Sequence, residues 1–281
     1  MSNRNNIQYM PVVRKPQFNW EEISSHWCDN NFFATHFVNS MHVVFPEGEK
    51  FFIRSVKAFA DRIKDKELQE RVKLFIGQET QHMMQHKNFW EVLQKQSPAL
   101  DMFHKLYTNM AYGRDEAKWS IDRKKLALST TVALEHYTAI MAEVALEKES
   151  KLLEGIPEEM TRMLQWHAAE EIEHKSVAFD VLKEVDDSYL LRIKGMILAS
   201  LDLTFYVGMG QIIFMSQDKT IKLEELPSHL FRFIKKTTPI FKGILANVAD
   251  YFRPDFHPND NDNLFMAEQI FQKIMTEKAV A

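Results

Sequence analysis

A chain of 281 residues, 45% hydrophobic and 26% charged, is long enough to bury a sizeable core as one large domain or as a domain with an appendage. Eight glycines and nine prolines are too few for a strand-and-turn protein, and a net charge of −4 gives no reason to expect nucleic acid as a partner. The single cysteine, Cys28, excludes an internal disulfide and a cysteine-based metal site. It suits a reducing compartment. The polar start, Ser2 to Asn6, lacks a charged-then-apolar secretion pattern, so the cytoplasm is the expected location.

Residues 1–40 read as an N-terminal arm with a short helix, interrupted early by Pro11 and Pro16 and anchored by Trp20, Trp27, Phe32, Phe33 and Phe37. Pro46 suits a first helical position. From there Glu49 shares an apolar stripe with Phe52, Ile53, Val56 and Ala60, whereas Glu47 lies on the face of Phe51 and Arg54. Glu49 is therefore the candidate ligand of this helix and Glu47 the reserve. A second helix, running to about Gln96, aligns Glu79, His82 and His86 with Val72, Ile76, Met83 and Trp90. The short charged connection at Lys64-Asp65-Lys66 makes these two helices antiparallel neighbours, and Ser97-Pro98 ends the second.

The aromatic, helix-like segment from Ala99 to about Ser120 is long enough to return the chain along the bundle. A third helix follows from about Ile121 to Lys148, with Leu128, Thr131, Glu135, Thr138 and Ala142 facing inward. Glu135 is the only acid in its middle. His136 points about 100° away and reads as a supporting or packing residue. After the break at Glu154-Gly155-Ile156-Pro157, His167, Glu171 and His174 recur at i, i+4 and i+7 in a stripe with Met163, Leu164, Ala178 and Val181. Glu170 and Glu173 beside them are what a solvated face would carry. Two imidazoles and a carboxylate in an apolar stripe are costly to bury without a partner, and a divalent metal is the most economical one.

Two helices each bearing Glu-x-x-His, joined by two helices each bearing a single inward Glu, are the components of a ferritin-like dinuclear carboxylate site. The expected fold is all-α: a ferritin-like four-helix bundle over residues 41–188, preceded by the arm and followed by additional C-terminal helices over 189–281 packed on it. In that last part, Leu190 to about Met215 approaches the length of a bilayer crossing but is interrupted by Arg192, Lys194, Asp202 and Gln211. It reads first as a buried helix closing over the bundle. The basic amphipathic stretch from Leu230 to Phe241 could rest on an anionic lipid surface, which makes peripheral membrane contact an expectation to test. Arg253-Pro254-Asp255-Phe256-His257-Pro258 reads as extended, and Asn259 to Asp262 as a turn capping a last helix.

Phe45-Pro46-x-Gly48-Glu49, Gly77-Gln78-Glu79-x-x-His82-x-x-x-His86, Glu171-x-x-His174 and Arg253-Pro254-x-Phe256-His257-Pro258 resemble a bacterial family described as predicted metal-dependent hydrolases, over nearly the whole chain. The ligand order is also similar to that of di-iron N-oxygenases that oxidise arylamines, in which an additional histidine on the last helix is a seventh ligand. That resemblance implies metal-ligand roles for Glu49, Glu79, His82, Glu135, His167, Glu171 and His174. Glu79 and Glu171 are then expected to bridge two ions, with Glu49 and Glu135 as terminal ligands. His167 would enrich one ion in nitrogen and leave open positions mainly on the other. His86 is expected to support the ligands.

Four carboxylates neutralise two divalent ions. Mixed carboxylate and imidazole ligation suits iron, with manganese or a mixed iron–manganese pair as variants, and disfavours copper(I). The first function expected is oxidation of a small, apolar or lipid-like substrate by dioxygen with an external electron donor. The alternatives are hydrolysis through a metal-bridging water and iron storage or metal sensing. A homodimer is compatible with all three.

Overall fold

The computed structural model describes residues 9–20, 23–112, 115–148 and 150–280, with side chains described to residue 274. It is all-helical among the described residues. Helices α1 (Phe32–Lys57), α2 (Lys66–Gln96), α4 (Ile121–Leu146) and α5 (Glu158–His174) form a four-helix bundle, and α3 (Ala99–Tyr112) carries the chain from α2 to α4. After a two-residue break, α6 (Val177–Val185) continues beyond α5. Three further helices, α7 (Tyr189–Gln217), α8 (Leu226–Tyr251) and α9 (Leu264–Val280), pack around the bundle.

Side-chain caps set several of the boundaries. Asn31 accepts from the Ala34 amide to start α1, Asp65 from Glu67 to start α2, Ser120 from Arg123 to start α4 and Ser188 from Leu191 to start α7. α1 is therefore one continuous helix across residue 40, and Pro46 lies in its interior rather than at its first turn. An interior proline frees the carbonyl four residues back. Here that is the carbonyl of His42, and the Trp90 indole N–H of α2 donates to it at 2.8 Å. A contact between helices thus removes one cost of the proline.

α7 lies along α1 and α4 and comes very close to both. A Cβ on Gly195 would lie 2.4 Å from the Ser129 carbonyl oxygen of α4, and one on Gly210 would lie 2.6 Å from Ser40 of α1 and from the Phe103 ring of α3. Glycine at these two positions is a requirement of helix contact. On the opposite side of the bundle, the arm runs against α2 and α5: Gln85 and Gln96 of α2 donate to the Pro16 and Ile23 carbonyls. Trp27 and Phe32 are buried, as expected of anchors.

The break after α5 is held by charge. Arg71, fully buried, donates to Asp180 of α6 at 2.8 Å and to the Ser176 hydroxyl, and His257 meets the other oxygen of Asp180 at 2.9 Å. Lys175 turns inward to donate to the Asn261 carbonyl and to Asn263 Oδ1. His257 therefore braces α6 and stands apart from the cluster described next.

Candidate metal centre

Glu49 of α1, Glu79 and His82 of α2, Glu135 of α4 and His167, Glu171 and His174 of α5 are all buried and converge on one point. They divide into two groupings. In the first, His174 Nε2 lies 3.2 Å from Glu79 Oε1, 3.2 Å from Glu135 Oε2 and 3.4 Å from Glu171 Oε2. In the second, His82 Nδ1 lies 3.6 Å from Glu79 Oε1 and 3.4 Å from Glu171 Oε1. His167 Nε2 completes that side at 2.9 Å from Glu171 Oε1 and 4.0 Å from Glu49 Oε1. Glu79 and Glu171 stand between the groupings. Each set of Glu79, Glu135 and His174, of Glu79, His82 and Glu171, and of Glu49, His82 and His167 presents ligand atoms within 4.8 Å of one another.

Both oxygens of Glu49, Glu79 and Glu135, Oε2 of Glu171, Nδ1 of His82 and Nε2 of His86 and His174 are buried without a hydrogen bond. One such atom would call for an explanation. This many at one point means that the protein has arranged donors for something positively charged, because a buried, unpaired carboxylate is strongly destabilising. Among the described residues, no lysine or arginine comes within 4.0 Å of these four carboxylates. Two divalent cations supply the four positive charges needed, so the residues fit a dinuclear metal centre.

Titration follows the same logic. Burial, reinforced by Glu79, pushes Glu49 well above the ordinary carboxylate range, and burial pushes Glu135 up to about 8. Burial would raise Glu171 too, yet His174, His167 and His82 outweigh it and hold that carboxyl well below its usual value. Burial would lower His82 and His174. Glu170, Glu171 and Glu79 hold the first well above the usual imidazole value, and Glu135 and Glu171 hold the second there.

A second layer fixes the ring orientations. Glu170 Oε2 faces His82 Nε2 at 3.1 Å, which turns Nδ1 toward the centre. Gln78 Oε1 faces His174 Nδ1 at 3.0 Å, which turns Nε2 inward, and the Gln78 amide donates to Glu173 at 2.6 Å. The arm closes this layer, since Arg14 donates to Glu170 at 3.2 Å and to Glu173 at 2.8 Å, while the Val12 amide donates to Glu173 at 3.0 Å. Glu170 and Glu173 are therefore buried supports rather than a solvated face. The run of acids next to the imidazoles was the only signal for them, and it reads equally well as surface. Gln78, Arg14 and Val12 carry no sequence signal of this role.

The remaining candidates separate. His86 pairs Nδ1 to Nδ1 with His42 at 2.7 Å and aims Nε2 at Glu49 Oε1 across 3.5 Å, next to the second grouping. Burial keeps both imidazoles of that pair below the ordinary value, His42 at about 3. Glu47 faces away, toward Lys50 at 2.6 Å and His104 at 3.4 Å, and is no reserve ligand. His136 meets the Asn247 carbonyl of α8 at 3.1 Å and packs on Tyr251 and Phe256, so it is a packing residue. Elsewhere, His26 and His36 converge on Asp218 Oδ2 at 2.6 and 2.9 Å, and Thr220 occupies the other oxygen. In contrast to the centre, both oxygens of this carboxylate are hydrogen-bonded.

A cavity of about 440 Å³ reaches Glu49, His167 and Glu171 from the side of α3, α4 and α7. Phe45, Phe52, Leu134, Tyr137 and Met141 contribute its walls near the centre. It meets the imidazole-rich grouping. Open positions were expected on the other ion, but α7 covers α1 and α4 so that space is left beside His167.

Residues 12–262 match the family described as predicted metal-dependent hydrolase. The chain belongs to that family. No curated protein and no solved structure matches it. The family description and the buried Glu/His groupings agree on metal dependence. The likeness to the arylamine N-oxygenases rests on ligand order alone.

Proposed function

We propose that the protein is a metal-dependent enzyme that holds two divalent ions, iron first among them, and oxidises a small apolar substrate with dioxygen. The observation that carries this reading is the placement of Glu79 and Glu171 between two buried groupings whose ligand atoms lack other partners. Glu135 and His174 would hold one ion, and Glu49, His82 and His167 the other. Held there as a ferrous pair, the ions would supply part of the electrons that reduce dioxygen, the rest coming from an external donor or the substrate.

The chain's own residues do the remaining work. Glu170 and Gln78 fix the imidazoles in the ligating orientation before any ion arrives, which lowers the cost of assembling the site. The apolar wall of Phe45, Phe52, Leu134 and Met141 keeps bulk water from the side of the centre that meets the substrate. Tyr137, whose hydroxyl meets Ser200 at 2.7 Å, lines the same cavity and, with Thr130, Thr138 and Asp202, gives its wall polar points among the apolar side chains.

The family description favours a second reading, hydrolysis, in which the two ions would lower the pKa of a shared water and polarise an ester, amide or phosphoester bond. A storage or sensing role would have no need of an apolar cavity ending at the ligands. Anaerobic ferrous loading followed by oxygen exposure separates the readings. Oxygen uptake with a transient visible band supports oxidation. Turnover of generic esters with zinc or manganese and no oxygen uptake supports hydrolysis, and accumulation of a ferric mineral supports storage.

A further inference from the structure

α7 is apolar on both sides. Its inner face packs on the bundle through Met196, Ala199, Val207 and Phe214, all buried. Its outer face presents Leu190, Ile197, Leu201, Phe205 and Ile212 at helical spacing, Leu201 being 62% and Ile212 71% exposed. A helix apolar all round is expected to be covered on every side. By length and composition it could cross a bilayer, yet the inner packing holds it lengthwise on α1 and α4.

The neighbouring helices extend that outer face. α8 runs antiparallel to α7, joined where the Tyr189 hydroxyl donates to the Phe252 carbonyl at 2.8 Å and Arg192 donates to the Tyr251 carbonyl at 2.6 Å. It exposes Phe231, Ile234, Phe241 and Leu245. On the other flank α3 is held by Tyr107 against Tyr206, ring centroids 4.8 Å apart, and exposes Met102, Leu106 and Met110. Exposed apolar side chains in rows on three neighbouring helices exceed the scattered ones normal for a protein surface.

Charge selects the occupant. Leaving out the buried Arg192, the three helices carry six Lys and Arg against three Asp, +3, in a chain whose net charge is −4, and from Leu226 to Ala249 α8 has no acid at all. A second copy using the same face would set a net positive surface against a net positive surface, which like-charge repulsion opposes. An anionic bilayer answers both features, taking the apolar side chains into its interface and the lysines and arginines at its surface. The cavity gives the face a use. Met110 and Leu198 are exposed members of this face that also line the cavity, and Arg123, stacked 4.3 Å from the Trp119 ring, lies at the same rim.

We propose that the outer face of α3, α7 and α8 seats on an anionic bilayer, so that the cavity opens onto lipid and receives a chain-bearing amphiphile from it. The choice of substrate rests on the catalytic reading of the centre; the seating does not.

The test is co-sedimentation of the full-length protein with vesicles of phosphatidylcholine alone and of phosphatidylcholine with phosphatidylglycerol. The protein is expected to partition onto the anionic vesicles and to be released by 1 M NaCl. A basic residue near an anionic surface is worth about fivefold, so Lys235→Ala with Lys242→Ala should weaken partition about 30-fold. Leu201→Glu with Phe205→Glu, neither of which lines the cavity, should weaken it at least about tenfold, with helicity by circular dichroism and metal content unchanged. Failure to bind either vesicle, binding that ignores vesicle charge, or a solution dimer that Leu201→Glu with Phe205→Glu dissociates while vesicles go unbound would each overturn the proposal. Repeating the sedimentation on chelator-treated protein separates the two readings. Vesicle binding that persists without metal supports the seating whatever the centre turns out to catalyse.

Discussion

The two groupings of the centre share two carboxylates and differ in almost everything else. The grouping of Glu135 and His174 has one imidazole, is enclosed, and is braced by Gln78 and through it by Glu173. The grouping of Glu49, His82 and His167 has two imidazoles, a third from His86 nearby, and borders the cavity. Under the proposed function the difference implies unequal duties: the enclosed position would keep its ion, and the nitrogen-rich one beside the cavity would meet substrate. Nitrogen ligands without charge leave more positive character on an ion than carboxylates do, and that is useful where a reacting group must be drawn in.

The largest expected effect breaks the comparison at its shared members. Glu171→Ala removes a carboxylate from both groupings, so metal content should fall from two ions to fewer than one per chain, measured by elemental analysis after iron loading. Retention of two ions would remove Glu171 from the centre. The next variants separate the sides. Glu135→Ala should leave one ion bound at the cavity side, whereas Glu49→Ala or His167→Ala should leave one at the enclosed side and change the visible spectrum. Identical stoichiometry and identical spectra for the two classes of variant would mean that the sides are not distinct.

Support residues come next. Glu170→Leu and Gln78→Leu leave every ligand in place but release one ring each, His82 or His174, and should weaken metal affinity about 10–100-fold. Competition against a chelator of known affinity measures this. No change would demote both residues to packing.

How much of this was legible in the sequence depended on the range of the interaction. The seven converging side chains were legible because each is set by the helical period within its own helix, and four packed helices have few ways to bury four inward acids. Pro46 was misplaced at a helix start because the indole that takes the freed His42 carbonyl is 48 residues away. Glu170 and Glu173 resembled surface because their partners, Arg14 and Val12, come from the arm. The side from which the cavity reaches the centre was also missed. It is decided by where α7 lies on α1 and α4, which rests on contacts such as Gly195 against Ser129 that no local pattern encodes.

The smallest expected effect sharpens the boundary of the centre. Glu47 is two residues from Glu49 but faces His104 and Lys50, which hold its carboxyl down to about 2. Glu47→Gln should leave two ions bound. A depressed acid stabilises the fold above its unfolded value of about 4.3 and loses that contribution as pH falls toward 2. The melting temperature of the parent protein should therefore fall more steeply than that of the variant between about pH 4 and pH 2. The gap at neutral pH should stay within about 1 kcal/mol because the pair is partly solvated.

The central claim is that one buried point holds two ions between shared carboxylates. Anomalous diffraction from crystals of the iron-loaded protein tests it most directly. The account predicts two peaks about 3.5–4 Å apart, both flanked by Glu79 and Glu171, one beside Glu135 and His174 and the other beside Glu49, His82 and His167. A single peak there, or iron found instead at His26, His36 and Asp218, would contradict it.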